Sequence, residues 1–356
     1  MCDDQAPGGT AVTSVAPMPA SWSGEPITLD PVEELSVLSV CDNTVDILLA
    51  DQGVAHRYQV GGADEVVPVV DAVTLVGGKG PDVPLAEHGF SVLVTLTRSE
   101  RTHQLLFDTG LTPGGCVDNL RRLGRDPGDI EAIVCSHGHF DHTTGLSGLT
   151  ATLHPRNLPV LIHPEFWTRR RLAIPGHDPV ELPTTSKGAL LDAGFDVIEQ
   201  RQPSFLFHRS LLVTGEVDRT SGFERGFPIH QAFRSGSWEP DPAILDDQAL
   251  IAHVAGKGLV IVTGCGHAGI INIVRYAQRL TGVPDVYAVM GGFHLNGPLF
   301  EPIIQPTCDA LAQLSPQVLV PSHCTGWRAS HSLAARFPDA FLQNSVGTTY
   351  RLSSQH

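Results

Sequence analysis

Short runs of apolar and β-branched residues recur along the chain and predict strands, with helical patterns between them. Four predicted strands end alike, because an apolar run is followed by small residues and then by a histidine. These histidines are His137, His267, His294 and His323. In layered α/β folds, side chains from distant segments converge at the ends of strands. The repeated pattern therefore predicts that the strand ends build a site.

The same pattern predicts how the whole chain is organised. The predicted strands cover residues 35–40, 64–76, 90–97, 103–110, 130–136, 159–164, 210–217, 249–254, 258–267, 286–292 and 317–323. Helices are predicted over 116–124 and 269–282. Residues 1–26 are rich in Pro, Gly, Ala, Ser and Thr and predict a flexible arm. We expect one domain over 27–356, with lid-like insertions near 168–200 and 218–246.

Composition excludes several classes of protein. The 356 residues are 42% hydrophobic and 17% charged, which excludes bulk disorder. Lys and Arg total 23 against 38 Asp and Glu, and this net charge of −15 argues against nucleic-acid binding. The 7 scattered Cys form no CxxC pair, the start lacks a signal-peptide pattern and no apolar run is long enough to span a membrane. We therefore expect a cytoplasmic protein.

The 17 histidines direct attention to metal chemistry. In Ser136-His-Gly-His-Phe-Asp-His142, four possible ligands fall within six residues after a predicted buried strand. Ligands at i and i+2 can aim at one point, and those at i+4 and i+5 at a second, as in sites that hold two metal ions about 3.5–4 Å apart. Gly138 permits a tight turn between the first two. Zinc is the favoured ion, with iron or manganese open.

This stretch resembles the HxHxDH motif of the metallo-beta-lactamase superfamily, which implies a fold and a ligand set. The implied fold is α/β (α+β in some schemes), a four-layer αββα sandwich with two mixed sheets. By this resemblance one metal is held by His137, His139 and His267, and the other by Asp141, His142 and His323. Asp108, in LLFDTG, corresponds to an aspartate that anchors the ligand loop from behind.

A narrower resemblance covers residues 35–350. Segments that include DNT (42–44), HPEFWTRR (163–170), DDQAL (246–250), TGCGHAGIIN (263–272) and PSHCTG (321–326) are similar to the subfamily named after a dihydropterin-aminobenzene-phosphate synthase. This resemblance specifies architecture better than substrate. It implies a phosphorylated or pterin-like substrate.

One strand end departs from the pattern of the dinuclear hydrolases. Most of them carry a metal-bridging Asp where this chain has Gly-Gly-Phe-His294. We favour a substrate-facing or acid/base role for His294, while a ligand and a core histidine stay open. Cys265 is two residues from His267 and can approach the site, whereas Cys324 is expected to turn away. For both cysteines, a small buried hydrophobic role is the favoured interpretation.

The remaining candidates carry weaker signals. His163 and Arg169 are tentative substrate-binding residues, although Arg169–Arg171 equally fit a solvated helix face. Asp247 and Glu224 are expected to orient ligand histidines through hydrogen bonds. The other histidines that are interpreted as structural are His208, His230 and His253.

Together these residues predict a metal-dependent hydrolase, or a related transferase, for a small, anionic, phosphorylated or carboxylated substrate. A metal-activated hydroxide would attack, Asp141 would orient the water as well as bind metal, and His294 would act on the substrate. One or two divalent ions are expected, and neither a nucleic acid nor a membrane is an expected partner. An iron-dependent oxygenase of the same fold and a non-catalytic metal-binding accessory protein are the alternatives. The oligomeric state is not predicted.

Overall fold

A computed structural model describes residues 24–60, 67–98, 101–153 and 157–354. Most of the predicted N-terminal arm, residues 1–23, lies outside the described residues. The two largest sheets have eight and six strands. In spatial order, the eight-stranded sheet contains β11 (Phe195–Glu199), β8 (Leu158–Ile162), β7 (Ala132–Val134), β6 (Arg101–Phe107), β5 (Ser91–Arg98), β1 (Glu34–Cys41), β20 (Thr349–Ser353) and β2 (Ala55–His56). The six-stranded sheet contains β12 (Ser204–Leu206), β13 (Leu211–Val213), β16 (Ala249–Val254), β17 (Gly258–Thr263), β18 (Val286–Gly292) and β19 (Val318–Ser322).

Smaller sheets and helices complete the described fold. A four-stranded sheet has the order β10 (Val180–Glu181), β9 (Arg170–Leu172), β14 (His230–Arg234) and β15 (Ser237–Pro240), and β3 (Val69–Asp71) pairs with β4 (Lys79–Pro81). The α-helices are α1 (Gly115–Arg122), α2 (Phe140–Thr143), α3 (Leu146–Thr152), α4 (Lys187–Asp192), α5 (Ile270–Thr281), α6 (Ile304–Leu314) and α7 (Trp327–Arg336). Short 3-10 turns cover Pro127–Asp129, Pro164–Trp167, Glu301–Ile303 and His323–Thr325. Among the described residues, no helix combines the length and apolar character needed to cross a bilayer.

Buried apolar side chains pack the elements into four layers. Along β17, Val260 and Val262 face the core between the two large sheets. The alternate residues Leu259 and Ile261 pack against the helices on the other side. A third core joins the eight-stranded sheet to α1 and α3. The predicted αββα sandwich with two mixed sheets is confirmed.

Parallel strands bring the predicted site to one place. β6, β7, β8 and β11 run parallel in one sheet, and β17, β18 and β19 run parallel in the other. Asp108 directly follows β6, and His137 comes three residues after β7. His267, His294 and His323 follow the carboxyl ends of β17, β18 and β19. The loops at these strand ends carry the candidate ligands.

Two segments differ from the predicted organisation. The predicted strand over 64–76 falls partly outside the described residues, and its remainder forms only β3, whose valines are exposed in a two-stranded hairpin. The segments expected to be insertions pair with each other, because β9 and β10 of the first join β14 and β15 of the second. The end of the first segment instead forms α4 and β11, and β11 lies at the edge of the eight-stranded sheet.

Candidate metal centre

Three buried histidines form the first group of possible metal ligands. The Nε2 atom of His137 lies 2.9 Å from Nδ1 of His139, and Nε2 of His267 lies 3.2 Å from that same Nδ1. All three ligand nitrogens fall within 4.8 Å of one another. The rings are at most 8% exposed. Three nitrogens therefore converge on one small, buried space.

The hydrogen-bond network assigns lone pairs to the inner nitrogens of His137 and His139. Ser136 Oγ donates to Asp108, so it accepts from Nδ1 of His137. His230 donates from Nδ1 to the Asp241 carbonyl at 3.2 Å, so its Nε2 accepts from Nε2 of His139 at 2.9 Å. Burial is the main cause of a lowered pKa at His137, His139 and His267, and neighbouring histidines lower it further. Neutral imidazoles with converging lone pairs fit a divalent cation such as zinc.

The second group contains Asp141, His142, Cys265 and His323. His142 Nε2 lies 3.2 Å from both His323 Nε2 and Cys265 Sγ. Asp141 Oδ2 lies 3.3 Å from His323 Nε2. The Asp141 side chain is 15% exposed, whereas those of His142 and His323 are fully buried. This set of carboxylate, imidazole and thiol also fits zinc.

In the second group, Asp141 and His142 stabilise each other's charged forms. Burial would raise the pKa of Asp141, but His142 and His323 outweigh it and hold that pKa well below its usual value. Burial would lower the pKa of His142, but the carboxylates of Asp141 and Asp108 raise it to about 9. A cation bound to Nε2 of His142 must displace a proton, so its binding strengthens as the pH rises.

Asp108 lies beneath the ligand loop and accepts three hydrogen bonds from it. Its carboxylate accepts from the backbone N–H and the hydroxyl of Ser136, each at 2.6 Å, and from Nδ1 of His142 at 2.7 Å. A carboxylate that orients a ligating imidazole also fixes which ring nitrogen faces the metal. Asp108 thus supports ligands of both groups.

Two candidate ligands sit on backbone in the left-handed region. His294 has a φ of 45° and His323 a φ of 48°. This conformation costs roughly 1–2 kcal/mol in a residue other than glycine. At His323 it is held by Asp42 Oδ1, which accepts from the His323 N–H, and by Asn43 Nδ2, which donates to its carbonyl, both at 2.8 Å. The DNT segment therefore positions a histidine about 280 residues later.

Residues that the sequence analysis did not assign hold the ligand loop from the other side. The Gly138 N–H donates to Asp246 Oδ2 at 2.8 Å, and the buried Arg170 binds the same carboxylate through both terminal nitrogens. Gln248 donates from Nε2 to the Cys135 carbonyl and from its backbone N–H to the Ser136 carbonyl, both at 2.9 Å. In the sequence, Asp246 and Gln248 were indicated only by the DDQAL segment (246–250), which is among the segments that resemble the subfamily.

Gly138 and His230 differ from their expected roles. Gly138 has no positive φ, and a Cβ there would collide with the backbone carbonyl of Phe166. Glycine is therefore needed for close approach of two chain segments more than for a turn. His230 was expected to be structural, yet it contacts the candidate ligand His139. Nothing in its local sequence signalled this contact, which the small sheet creates.

The structure places Arg169 and His163, the two residues suggested to bind substrate, away from the cavity beside the candidate ligands. Arg169 is exposed, binds Glu181 and stacks on Phe233 and Trp238. His163 is buried, and its Nδ1 accepts from the Glu165 N–H at the start of a 3-10 turn. Both side chains are engaged in supporting the fold.

Asp247 and Glu224 hold backbone rather than imidazole groups. Asp247 Oδ2 accepts from the Ala268 N–H at 2.8 Å, next to His267, whose Nδ1 has no hydrogen-bond partner. Glu224 accepts from the N–H groups of Ile271 and Asn272 in the first turn of α5. Burial raises the pKa of Asp247 to about 6 and that of Glu224 to about 7. Both carboxyls position the segment that carries His267.

Replacing Glu224 with glutamine should weaken the pH dependence of stability between about pH 4.5 and 7. The folded protein holds this proton more tightly than the unfolded chain, whose glutamate titrates near 4.5. The stabilisation is complete below pH 4.5 and is lost as the pH rises through about 7, a change of about 3 kcal/mol. Urea unfolding across this range measures it. Glu239→Gln, at an exposed site, should keep the wild-type profile, and an unchanged profile in Glu224→Gln would contradict the prediction.

A cavity of about 530 Å³ adjoins His267 and His294. The His294 ring lies 4.4 Å from the Phe300 ring and 5.2 Å from the Phe227 ring, between centroids. The other cavity walls are mostly apolar and include Phe223, Phe293, Leu295, Leu299 and Ile303. Glu224 and Arg225 supply the charged groups. A small molecule with an apolar part fits this space beside the ligand groups.

Known proteins resemble this chain in sequence. A family model described as the metallo-beta-lactamase superfamily matches residues 87–270. The 7,8-dihydropterin-6-methyl-4-(beta-D-ribofuranosyl)-aminobenzene-5'-phosphate synthase of Methanocaldococcus jannaschii is 30% identical over 269 residues, which cover 74% of this chain and 89% of the relative. An uncharacterised protein of the same organism is 30% identical over 250 residues, covering 70% of this chain and 88% of the relative.

A solved structure shares the fold. It is Tm1679, a metal-dependent hydrolase of the beta-lactamase superfamily, with a TM-score of 0.65 and 23% identity, covering 90% of this chain and 100% of that one. The resemblance predicted from the HxHxDH motif and the narrower segments is confirmed. The chain belongs to the metallo-beta-lactamase superfamily.

Proposed function

We propose that the protein is a metal-dependent hydrolase for a small substrate with an anionic group. One observation carries this proposal: two buried groups of ligand atoms lie side by side and adjoin a cavity lined by His267 and His294. When bound, divalent cations lower the pKa of water toward 7 and stabilise negative charge on a carbonyl or phosphoryl oxygen. The residues that would hold them, zinc being favoured, are His137, His139 and His267 for one ion, and Asp141, His142 and His323 for the other.

Asp141 has a second role in this proposal. Its side chain is 15% exposed, whereas those of His142 and His323 are buried, so its carboxylate can meet water. The same carboxylate stays ionised because neighbouring histidines hold its pKa well below the usual value, against the effect of burial. We propose that it accepts a hydrogen bond from the attacking water and orients it.

His294 is proposed to act on the substrate. It is half-buried in the wall of the cavity, and its Nδ1 has no hydrogen-bond partner. Phe300 packs edge-on against the ring and Phe227 packs at a tilt, and neither contact occupies a ring nitrogen. An imidazole positioned in the wall of a cavity can deliver a proton to a leaving oxygen.

His294→Ala should keep the wild-type metal content and lower kcat by about 10²- to 10⁴-fold, the usual contribution of a general acid or base. Elemental analysis and steady-state kinetics measure the two effects separately. His177→Ala, at an exposed histidine, should change neither. If His294→Ala lost metal, His294 would be identified as a metal ligand. If the variant kept the wild-type kcat, His294 would have only a packing role.

The cavity supports a substrate with an aromatic or other apolar portion and a negative group. Its walls carry several phenylalanines, and the exposed Arg225 adds a positive charge. The synthase relative is named for a product with pterin, aminobenzene and phosphate parts. That name favours one alternative within the same site, a transferase that joins two such parts instead of hydrolysing one.

Purified protein, analysed for metal and screened against substrates, tests the proposal. We expect one to two equivalents of metal and chelator-sensitive turnover of an aryl phosphoester, a lactone or a thioester. Formation of an aminobenzene phosphate adduct without hydrolysis would favour the transferase. Bound iron together with oxygen uptake would instead favour an iron-dependent oxygenase over the hydrolase and the transferase.

We also propose a cytoplasmic location and a small-molecule partner. The six cysteines among the described residues are free thiols, as expected in a reducing compartment. The net charge of −15 disfavours a phosphate backbone as partner. Cell fractionation tests the location.

A further inference from the structure

Cys265 belongs to the second ligand group and also lies close to His267, one of the three histidines of the first group. Its Sγ lies 3.2 Å from His142 Nε2 and within 4.8 Å of the ligand atoms of Asp141 and His323. The same Sγ lies within 4.8 Å of the ligand nitrogens of His267 and His294. One buried sulfur thus lies near three ligands of the second candidate metal position and near His267 of the first.

The surrounding backbone is built to place this side chain. Cys265 lies between two glycines that follow β17, and a Cβ on Gly264 would lie 2.7 Å from Asp108 Oδ2. Gly266 has a φ of 69°. The loop can therefore pack directly on the carboxylate that anchors His142, with the cysteine side chain directed at the histidines.

Charge also favours sulfur as a ligand. The first group offers three neutral imidazoles, and Asp141 is the one carboxylate in the second. In such a buried site, a single negatively charged ligand would neutralise only a small part of the charge of two divalent cations. A thiolate between them adds a second negative charge, and thiolates bind zinc at about 2.3 Å.

We propose that the Cys265 thiolate is a metal ligand shared by the two ions. This inference deepens the proposed function, because it concerns the metal centre on which that function rests. When the metal binds, the S–H bond breaks, sulfur–metal bonds form, and one proton leaves to solvent. With the shared position filled by sulfur, His294 is left to face the cavity.

Cys324 provides a matched control within the same site. Its Sγ donates to the Cys265 carbonyl at 3.3 Å, and it belongs to none of the candidate ligand groups. Cys324 is half-buried beside His323. Replacing either cysteine by serine removes one sulfur from nearly the same region.

Cobalt(II) substitution of the full-length protein tests the proposal without turnover. Thiolate–cobalt bonds give a near-ultraviolet charge-transfer band that nitrogen and oxygen ligands lack. We expect this band in the wild type and in Cys324→Ser, and its loss in Cys265→Ser, with at least 10-fold weaker binding of the second cobalt ion. A wild type with two bound ions and no band would overturn the proposal, as would a band that disappears only in Cys324→Ser.

X-ray absorption of the wild-type protein with two zinc ions covers the case in which Cys265→Ser does not fold. A shared thiolate gives an average of about one sulfur neighbour per zinc near 2.3 Å. A sulfur bound to one ion gives about half a neighbour, and an unbound thiol gives none; either result would show that Cys265 is not shared. A full sulfur shell without any hydrolysis would leave this inference standing and reject the proposed function.

Discussion

Replacing His137 with alanine should remove the metal ion of the first group and lower turnover by about 10³-fold or more. His137 supplies one of three converging nitrogens, and Ser136 and Asp108 fix its orientation. Loss of a residue that only supports a ligand costs about 10- to 100-fold in metal affinity, so loss of the ligand itself should exceed that range. Loss of one preorganised group that stabilises transition-state charge costs about 10²–10³ in kcat. Elemental analysis, metal titration and kinetics on the best substrate of the screen measure these effects.

The matched control for this variant is His177→Ala. His177 is exposed on the segment between β9 and β10, so its loss should leave metal content and rate unchanged. Circular dichroism of both variants checks that the fold is retained. A His137→Ala protein that is free of metal yet fully active would reject the metal-dependent reaction.

Arg170→Met should destabilise the protein by about 3–5 kcal/mol. Arg170 is 2% exposed and binds Asp246 through Nη1 at 3.0 Å and Nη2 at 2.5 Å, while its Nε lies 3.4 Å from Asp241. Removing the cation leaves the buried Asp246 carboxylate without its main partner, whereas Asp241 keeps its ion pair with Arg234. Breaking a buried pair on one side typically costs this much. Because Asp246 also holds the Gly138 N–H, metal affinity should fall in parallel. Denaturant unfolding and metal titration measure both changes.

The neighbouring arginine provides the control. Arg169 pairs with Glu181 at the surface, where exposed ion pairs contribute about 0–1 kcal/mol, so Arg169→Met should have a small effect. Arg170→Lys should recover only part of the loss, because an ammonium group cannot reproduce the planar two-nitrogen contact. Equal destabilisation by Arg169→Met and Arg170→Met would contradict the assignment.

Local sequence was sufficient to predict candidate ligands that lie within one loop or at the end of a strand. The spacing of His137, His139, Asp141 and His142 depends on six consecutive residues, so its two-group geometry could be predicted before the fold was known. His267 and His323 followed from the apolar runs that precede them. The family and the four layers were predicted from the family resemblance that these residues carry, and both are confirmed.

Side chains whose direction depends on distant pairing could not be predicted. Three arginines stand in a row at 169–171, and strand alternation means that a shift of one residue reverses which of them is buried. Pairing of β9 with β14 settles this, since it turns Arg170 toward Asp246 and leaves Arg169 at the surface. The contact of His230 with His139 arises from the same pairing.

The amino-acid sequence by itself determined that this chain places candidate metal ligands in loops at the ends of buried strands, because those signals are local in the chain. Only the tertiary structure placed the Cys265 sulfur among histidines from four different loops. It also brought the Asp246 carboxylate to the ligand loop, 108 residues away. Distances across loops depend on how sheets pack and pair, and that packing is a property of the whole chain.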